Sequence, residues 1–527
     1  MRFDDWFLTG AERGNPGTDL PAWSDGNQVS VHVHGAAYFD RLVDVVEAMA
    51  CGDLLLFTDW RGDPDQRLRP DGPTVAELLS AAARRGVQVK GLVWRSHLDA
   101  LVRTAQENRN LAENLDRDGG QVLLDQRVRY FGSHHQKLVV ARHHGRPQRD
   151  VAFAGGVDLC HSRRDDADHA GDPQPVSMAG VYGARPPWHD VQLELHGPVV
   201  AALEATFRER WTDPAALRAG NPLAMLRDRL AGRPVRPDPL PPQTSAPPPC
   251  GPHTVQLLRT YPAKTRPYPF APNGERGVAR GYAKAIKRAR RLIYLEDQYM
   301  WSTGVADLFA TALRDNPGLH LVVVVPRHPD VDGRLALPPN LIGRQRALQV
   351  CRQADPSRVH VYDLENHAGT PVYVHAKVCV IDDVWASVGS DNFNRRSWTH
   401  DSELSCAVLD PTPDPRPPHD PAGLGDCARP FARNLRLTLM REHLDRDPGD
   451  DGDLLDPVDA VHALDTTADA LDAWHDAGRR GARPPGRLRR HDPRPMSAFT
   501  RAWATPPYLL IYDPDGRPRQ LRRRGRW

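Results

Sequence analysis

At 527 residues the chain is too long for one hydrophobic core and implies two or three domains. Its 40% hydrophobic content suits globular packing, and no run approaches the roughly 18 apolar residues of a membrane span. The net charge of +2 gives by itself no argument for a polyanionic partner.

The opening "MRFDDWFLTGAERGNPG" carries Asp4 and Asp5 where a secretion signal would be basic, and no apolar stretch follows. Seven cysteines without metal spacing point to reduced thiols and a cytoplasmic location. In chain order, "GDLLLFTDW" (52–60) reads as a buried strand. "TVAELLSAAARRG" (74–86) reads as a helix capped by Thr74 and stopped by Gly86, and "VQVKGLVW" (87–94) as a second strand. "SHHQKLVV" follows, then the glycine-pair turn of "AFAGGVDL" (152–159). "GRPVRPDPLPPQTSAPPPCGP" (232–252) cannot form a regular element and is predicted to be an extended linker.

The second part repeats the order. Residues 281–291 predict a helix, 292–300 a strand, 304–318 a helix and 319–326 a strand. "YVHAKVCVIDD" (373–383) and "ASVGSDNF" (386–393) then parallel the earlier motif and turn, so the chain carries a degenerate internal duplication. After about residue 445 come an acidic loop, an amphipathic helix over 456–478, and arginine-rich stretches at 479–490 and 517–527. That tail reads as solvated surface, or as a binder of phosphate groups. The expected division is 1–231, a linker at 232–253, 254–445, and an extension at 446–527.

Only six lysines occur, yet two stand two residues after a histidine in strand-like sequence: His135–Lys137 and His375–Lys377. With 23 histidines, chance predicts roughly a quarter of one such pair. On a strand, residues i and i+2 share a face. A lysine ammonium there can hold phosphoryl oxygens while a neutral histidine attacks phosphorus, and a second histidine can protonate the leaving oxygen. One site thus needs both copies. The backbone of Gly155, Gly156 and Asp158 in the first turn would offer donors close to the ligand, and the Ser390 hydroxyl and Asn392 amide in the second would hold phosphate oxygens. A carboxylate must fix each histidine tautomer, and the candidates downstream of the motifs are Asp190 and Glu403. His134, His143 and His144 resemble a metal cluster but lack supporting ligands and read as a solvated loop; Glu296 and Gln298 read as supporting residues near the cleft.

These residues resemble the phospholipase D superfamily. His375, Lys377 and Asp382 form HxKxxxxD, followed by Gly389, Ser390 and Asn392 as GSxN, with Ser397 and Glu403 at the family spacing. The first copy resembles it in "HHQKLVV", "AFAGGVDLCHSRRD" and "WHDVQLELHGPVV", but Arg142 replaces the aspartate, with Asp150 a partial substitute. The resemblance covers roughly residues 30–445. It implies an α/β fold of two tandem α/β/α halves with mixed β-sheets, an active site at their interface, and a helical, basic C-terminal tail. It implies catalysis by His135, Lys137, His375, Lys377 and Asp382 through a phosphohistidine, with His135 as nucleophile, no cofactor and no metal. The implied partner is a phospholipid at a membrane surface, met by a monomer without a transmembrane segment. A superfamily nuclease and a catalytically weakened binding module are the alternatives. A deep apolar funnel would favour lipid, an open basic groove nucleic acid.

Overall fold

The structure is a computed structural model that describes residues 2–96, 103–218, 236–492, 495–525 and 527. Part of the expected linker, 232–235, lies outside the described residues.

The first half contributes β1 (Ser24–Val33), β2 (Leu54–Asp59), β3 (Gln88–Trp94), β4 (Gln121–Asp125), β5 (Leu138–Arg142), β6 (Val151–Gly155), β7 (Trp188–His189) and β8 (Val191–His196). Seven of these form a mixed sheet in the order β4–β3–β2–β5–β6–β8–β1, with β2, β3 and β4 parallel. The second half contributes β9 (His253–Tyr261), β10 (Glu275–Arg276), β11 (Leu292–Asp297), β12 (His320–Val324), β13 (Val359–Glu365), β14 (Pro371–Val374), β15 (Lys377–Ile381), β16 (Trp385–Gly389), β17 (Glu403–Leu409) and β18 (Leu488–Arg490). Its sheet runs β13–β12–β11–β15–β16–β17–β9, the same permutation. The duplication inferred from the motifs therefore extends to the whole sheet. β1 and β9 pair antiparallel through Ser24↔Val255 and Asn27↔His253, which joins the two sheets at their edges.

The central strands are apolar on both faces because both faces are covered. In β2, Leu54 and Leu56 enter one core while Leu55 and Phe57 enter another. Helices Gly35–Glu47, Val75–Arg84 and Arg103–Arg117 cover one face of the first sheet, and Val199–Trp211 covers the other. The second sheet repeats this with Gly277–Arg288, Thr303–Asp315 and Leu337–Ala354 on one face and Pro430–His443 on the other. Thr74 caps its helix as expected, accepting from the Glu77 N–H while the Glu77 carboxylate accepts from the Thr74 N–H at 2.8 Å.

Two segments cross the boundaries expected from the sequence. Trp6, Phe7 and Leu8 pack in the core of the second half, and Leu8 N–H donates to Gln256 Oε1 at 2.8 Å. The N-terminal segment thus belongs to the half it does not precede. The extension after residue 445 is also built into the second half: β18 pairs with β13, and helix Pro457–Asp476 packs beside it. The arginines at 487–490 are ion-paired, the buried Arg487 with Asp445 at 3.0 Å and the partly exposed Arg490 with Asp469 at 2.7 Å. The described linker residues run irregularly along the first half, held by Lys90–Asp238 at 2.7 Å and by Arg142 donating to Ser245 O at 2.7 Å.

Candidate active site

The first His-x-Lys motif stands just before β5, and the second ends on Lys377, the first residue of β15, because the histidine backbone bonds cross to the other half. His135 N–H donates to Ser402 O at 2.9 Å, and His375 N–H donates to His189 O at 2.8 Å. The residue after each acceptor is a carboxylate, which meets the imidazole. His135 Nδ1 lies 3.0 Å from Glu403 Oε2, and His375 Nδ1 lies 2.6 Å from Asp190 Oδ2. Asp190 and Glu403 are thus brought to the motifs, each to the motif of the opposite half.

The crossed pairs differ in size, and the glycine-pair turns match them. A Cβ on Gly156 would approach Asp190 Oδ1 to 2.0 Å, so only glycine fits beside the short carboxylate. At the equivalent place Ser390 Oγ donates to Glu403 Oε2 at 2.6 Å, and the longer glutamate leaves room for it. Gly155 is equally confined, by Gln192 and Val191 O.

His135 Nδ1 also lies 3.0 Å from Ser390 O. A carbonyl only accepts, so Nδ1 carries the proton and Nε2 keeps its lone pair. Burial, then Lys137 and Lys377, push His135 well below the ordinary histidine value; burial, then Lys377 and Arg163, do the same to His375. Burial also lowers Lys377 to about 8, with Asp190 opposing and Lys137 adding to the shift. Glu403 is raised to about 8 by burial and by Asp401. Lys137 Nζ donates to His135 O at 3.0 Å and pairs with Asp158 at 3.4 Å; Lys377 Nζ donates to His375 O and lies 3.4 Å from Gln298 Oε1.

His135, His375, Asp158, Asn392, Glu403 and Gln298 line one cleft of about 550 Å³. Asn392 Oδ1 is buried there without a hydrogen-bond partner. Two imidazoles on one cleft, each anchored through Nδ1, with two lysines and an amide beside them, can serve an anion as nucleophile and proton donor.

Asp382 is not in this cleft. It stands five residues beyond Lys377, about 16 Å along an extended chain. Asp382 and Asp383 both have positive φ, 52° and 57°, and begin the three-residue turn, 382–384, between β15 and β16. The Asp382 carboxylate accepts the N–H groups of Arg290, Arg291 and Leu292 at 2.7–2.8 Å, pinning the start of β11, and burial raises it to about 6. Its expected catalytic role is replaced by a structural one. Asp382→Ala should lower stability by about 2–4 kcal/mol in urea unfolding, since donors lose their partner, while the folded fraction keeps its turnover. A large fall in kcat at unchanged stability would return Asp382 to the chemistry.

The same junction in the first half explains Arg142. There Asp53, just before β2, accepts the His144 N–H at 2.8 Å, so the carboxylate comes from the opposite strand. Arg142 is free for other work and pairs with Glu204 at 2.6 Å and with Asp150 at 2.8 Å. Asp150 does not replace the missing aspartate but serves Arg142 and the His143 N–H. His134, expected on a solvated loop, is fully buried, with Nδ1 2.7 Å from Ser402 Oγ and Nε2 3.5 Å from Asp125. Glu296 faces away from the cleft into a histidine cluster.

Sequence reading missed part of the cleft wall. Ile511 and Tyr512, from the segment between the two arginine-rich stretches, line it beside Trp301. Arg396 donates to Ile511 O at 2.8 Å and to Phe131 O at 2.6 Å.

The chain is similar to known proteins in sequence and in fold. A family model described as "Phospholipase D" matches residues 64–231, and one described as "Cardiolipin synthase, PLD-like domain" matches 282–413. Phospholipase D alpha 1 of Cynara cardunculus is 24% identical over 504 residues, 72% of this chain and 60% of that protein. Phospholipase D alpha 1 of Ricinus communis is 26% identical over 545 residues, covering 80% and 64%. The chain therefore spans about 60% of the length of the curated relatives it matches. The crystal structure of phosphatidylserine synthase from Haemophilus influenzae Rd KW20 superposes with a TM-score of 0.50 at 13% identity, covering 75% of this chain and 85% of that one; the likeness is one of fold.

Proposed function

We propose that this chain, which belongs to the phospholipase D superfamily, cleaves or transfers phospholipid phosphodiesters in two steps through a phosphohistidine. His135 Nε2 attacks phosphorus; the N–P bond forms, and the bond to the headgroup oxygen breaks. His375 supplies that oxygen's proton from Nε2. Water or an alcohol then attacks phosphorus, His375 removes its proton, and the N–P bond breaks. Lys137, Lys377 and the Asn392 amide hold the non-bridging oxygens. Burial, then Lys377, Arg163 and Lys137, keep His375 neutral; the bound phosphate offsets the cationic part, and Asp190 at 2.6 Å then stabilises its imidazolium. None of these steps uses Asp382.

The observation that carries the lipid reading is the cleft wall. Trp60, Trp94, Trp188, Trp301, Met178 and Tyr373 line it. Its three arginines are engaged: Arg61 with Asp63 at 2.8 Å, Arg396 with Asp401 at 2.7 Å, and Arg163 stacked 3.8 Å over the Trp188 ring. An open basic groove would leave such cations to phosphates. Ile511, which lines the cleft, is 50% exposed. Its chain neighbour Leu510 is 70% exposed and Phe131, held by the cleft residue Arg396, is 50% exposed, apolar groups suited to seating on a lipid surface as a peripheral protein. No helix among the described residues is long and apolar enough to cross a membrane.

Incubation with phosphatidylcholine or phosphatidylglycerol vesicles and ethanol should yield phosphatidate and phosphatidylethanol. Cleavage of DNA or RNA without either lipid product would move the assignment to a nuclease; binding without turnover would leave a binding module. Leu510→Asp should lower the rate on vesicles about tenfold or more and leave a soluble diester such as bis(p-nitrophenyl) phosphate unaffected. Equal losses on both would remove Leu510 from lipid contact.

The pH dependence follows from Lys377. Its value of about 8 means that the ammonium is present below that pH and lost above it. On a soluble diester, kcat/KM, which reports the free enzyme, should fall by about tenfold per unit above pH 8. A profile flat to pH 10 would show that the Lys377 charge does not hold the phosphate.

A further inference from the structure

We propose that His34, His169, His189 and Glu442 bind one divalent transition-metal ion, most simply Zn²⁺, in a closed site between the two halves. His34 Nε2 lies 2.8 Å from Glu442 Oε2; His169 Nε2 and His189 Nδ1 lie 3.2 and 3.4 Å from Glu442 Oε1. These ligand atoms all lie within 4.8 Å of one another. Tetrahedral zinc with bonds of about 2.0–2.1 Å places its ligand atoms about 3.4 Å apart. The rings meet edge to face, with centroids 4.9, 5.2 and 5.8 Å apart, so three imidazoles point at one place instead of stacking.

The surroundings match a metal site as well. A ligating histidine usually gives its other N–H to a carboxylate. His189 Nε2 lies 2.7 Å from Glu296 Oε2, and Glu296 Oε1 accepts from Tyr294 OH at 2.5 Å and lies 2.8 Å from His443 Nε2. His169 Nδ1 faces Asp165 at 3.8 Å. With neutral rings, Glu442 and Glu296 carry two buried negative charges, which one divalent ion balances. Three nitrogens and one oxygen fill a tetrahedron and leave no open position, so the ion is structural and touches no substrate.

Its consequence is positional. Three ligands come from the first half and Glu442 from the second. The His189 carbonyl accepts the N–H groups of His375 at 2.8 Å and Ala376 at 3.2 Å, and the next residue, Asp190, holds His375 Nδ1. The ion would lock the ring that sets the geometry of His375. The four ligands lie in distant segments without a spacing motif, so the expectation of no metal came from sequence that could not display them.

The full chain should carry about one zinc by elemental mass spectrometry after growth with zinc. Removal by a strong chelator should lower the melting temperature, and Zn²⁺ should restore it. Co²⁺ added to the stripped chain should give the visible absorption of a tetrahedral nitrogen–oxygen site. Glu442→Gln and His34→Gln should each reduce bound metal at least tenfold; if either fails to fold, the stripped wild-type chain and its Co²⁺ spectrum decide alone. Less than about a tenth of an ion per chain, with no thermal shift on adding Zn²⁺, would overturn the site, as would Co²⁺ binding that both folded variants retain. None of these readouts depends on turnover, so they stand apart from the phosphodiester assignment.

Discussion

Replacing His135 or His375 by alanine should lower kcat on a phosphodiester by about four to six orders of magnitude, and replacing both should cost little more than replacing one. Each acts only in the presence of the other: without the nucleophile there is no N–P bond for the acid to assist, and without the acid the headgroup oxygen leaves as an alkoxide. Quenching in acid during turnover of a phosphorus-labelled substrate should trap label on a peptide containing His135. The fixed tautomer favours this assignment, since Ser390 O and Glu403 hold the proton on Nδ1 and leave Nε2 as a lone pair in the cleft. Label on a His375 peptide would reverse the roles. Near-normal turnover in His375→Ala would break the single shared site.

Much of this centre was legible because strand and turn sequences write their constraints locally. Two lysines following histidines in a chain with six lysines, one followed by a Gly-Gly turn and the other by a Gly-Ser turn, reported the duplication. The crossing of the carboxylates was not legible. Asp190 and Glu403 follow their own motifs in sequence, and only the docking of Ser402 on His135 and of His189 on His375 decides which imidazole each one meets. Asp382 misled for a related reason. A spacing of five from Lys377 is visible, but whether the carboxylate turns to the cleft or to the N–H groups of β11 depends on a strand about ninety residues earlier. Arg142 looked like a defect in the first motif, because its compensation by Asp53 lies on another strand. Composition also undersold the tail: arginines look solvated until their aspartate partners are placed, and the path that brings Ile511 to the cleft is a tertiary fact.

Asp190→Asn should lower kcat by about three to four orders of magnitude, and Glu403→Gln by only about one to two. Asp190 Oδ1 accepts the Val191 N–H at 2.9 Å, which fixes an oxygen at that position. In the asparagine variant the amide nitrogen therefore falls at the Oδ2 position, facing His375 Nδ1. It donates where the carboxylate accepted, drives the imidazole proton to Nε2, and removes the negative charge that an imidazolium needs. His375 becomes a poor acid. Glu403 differs in two respects. Burial raises it to about 8, so near neutrality its carboxyl is already largely uncharged and the amide is a closer substitute. Ser390 O also accepts from His135 Nδ1, so the tautomer survives the loss of the carboxyl. The leaving group supplies the check. A p-nitrophenolate leaves without a proton, so the first-turnover burst from a p-nitrophenyl ester should fall far less in Asp190→Asn than release of choline from phosphatidylcholine. Equal losses for both leaving groups, or a Glu403→Gln defect as deep as that of Asp190→Asn, would detach the acid role from His375 and leave the two crossed pairs chemically equivalent.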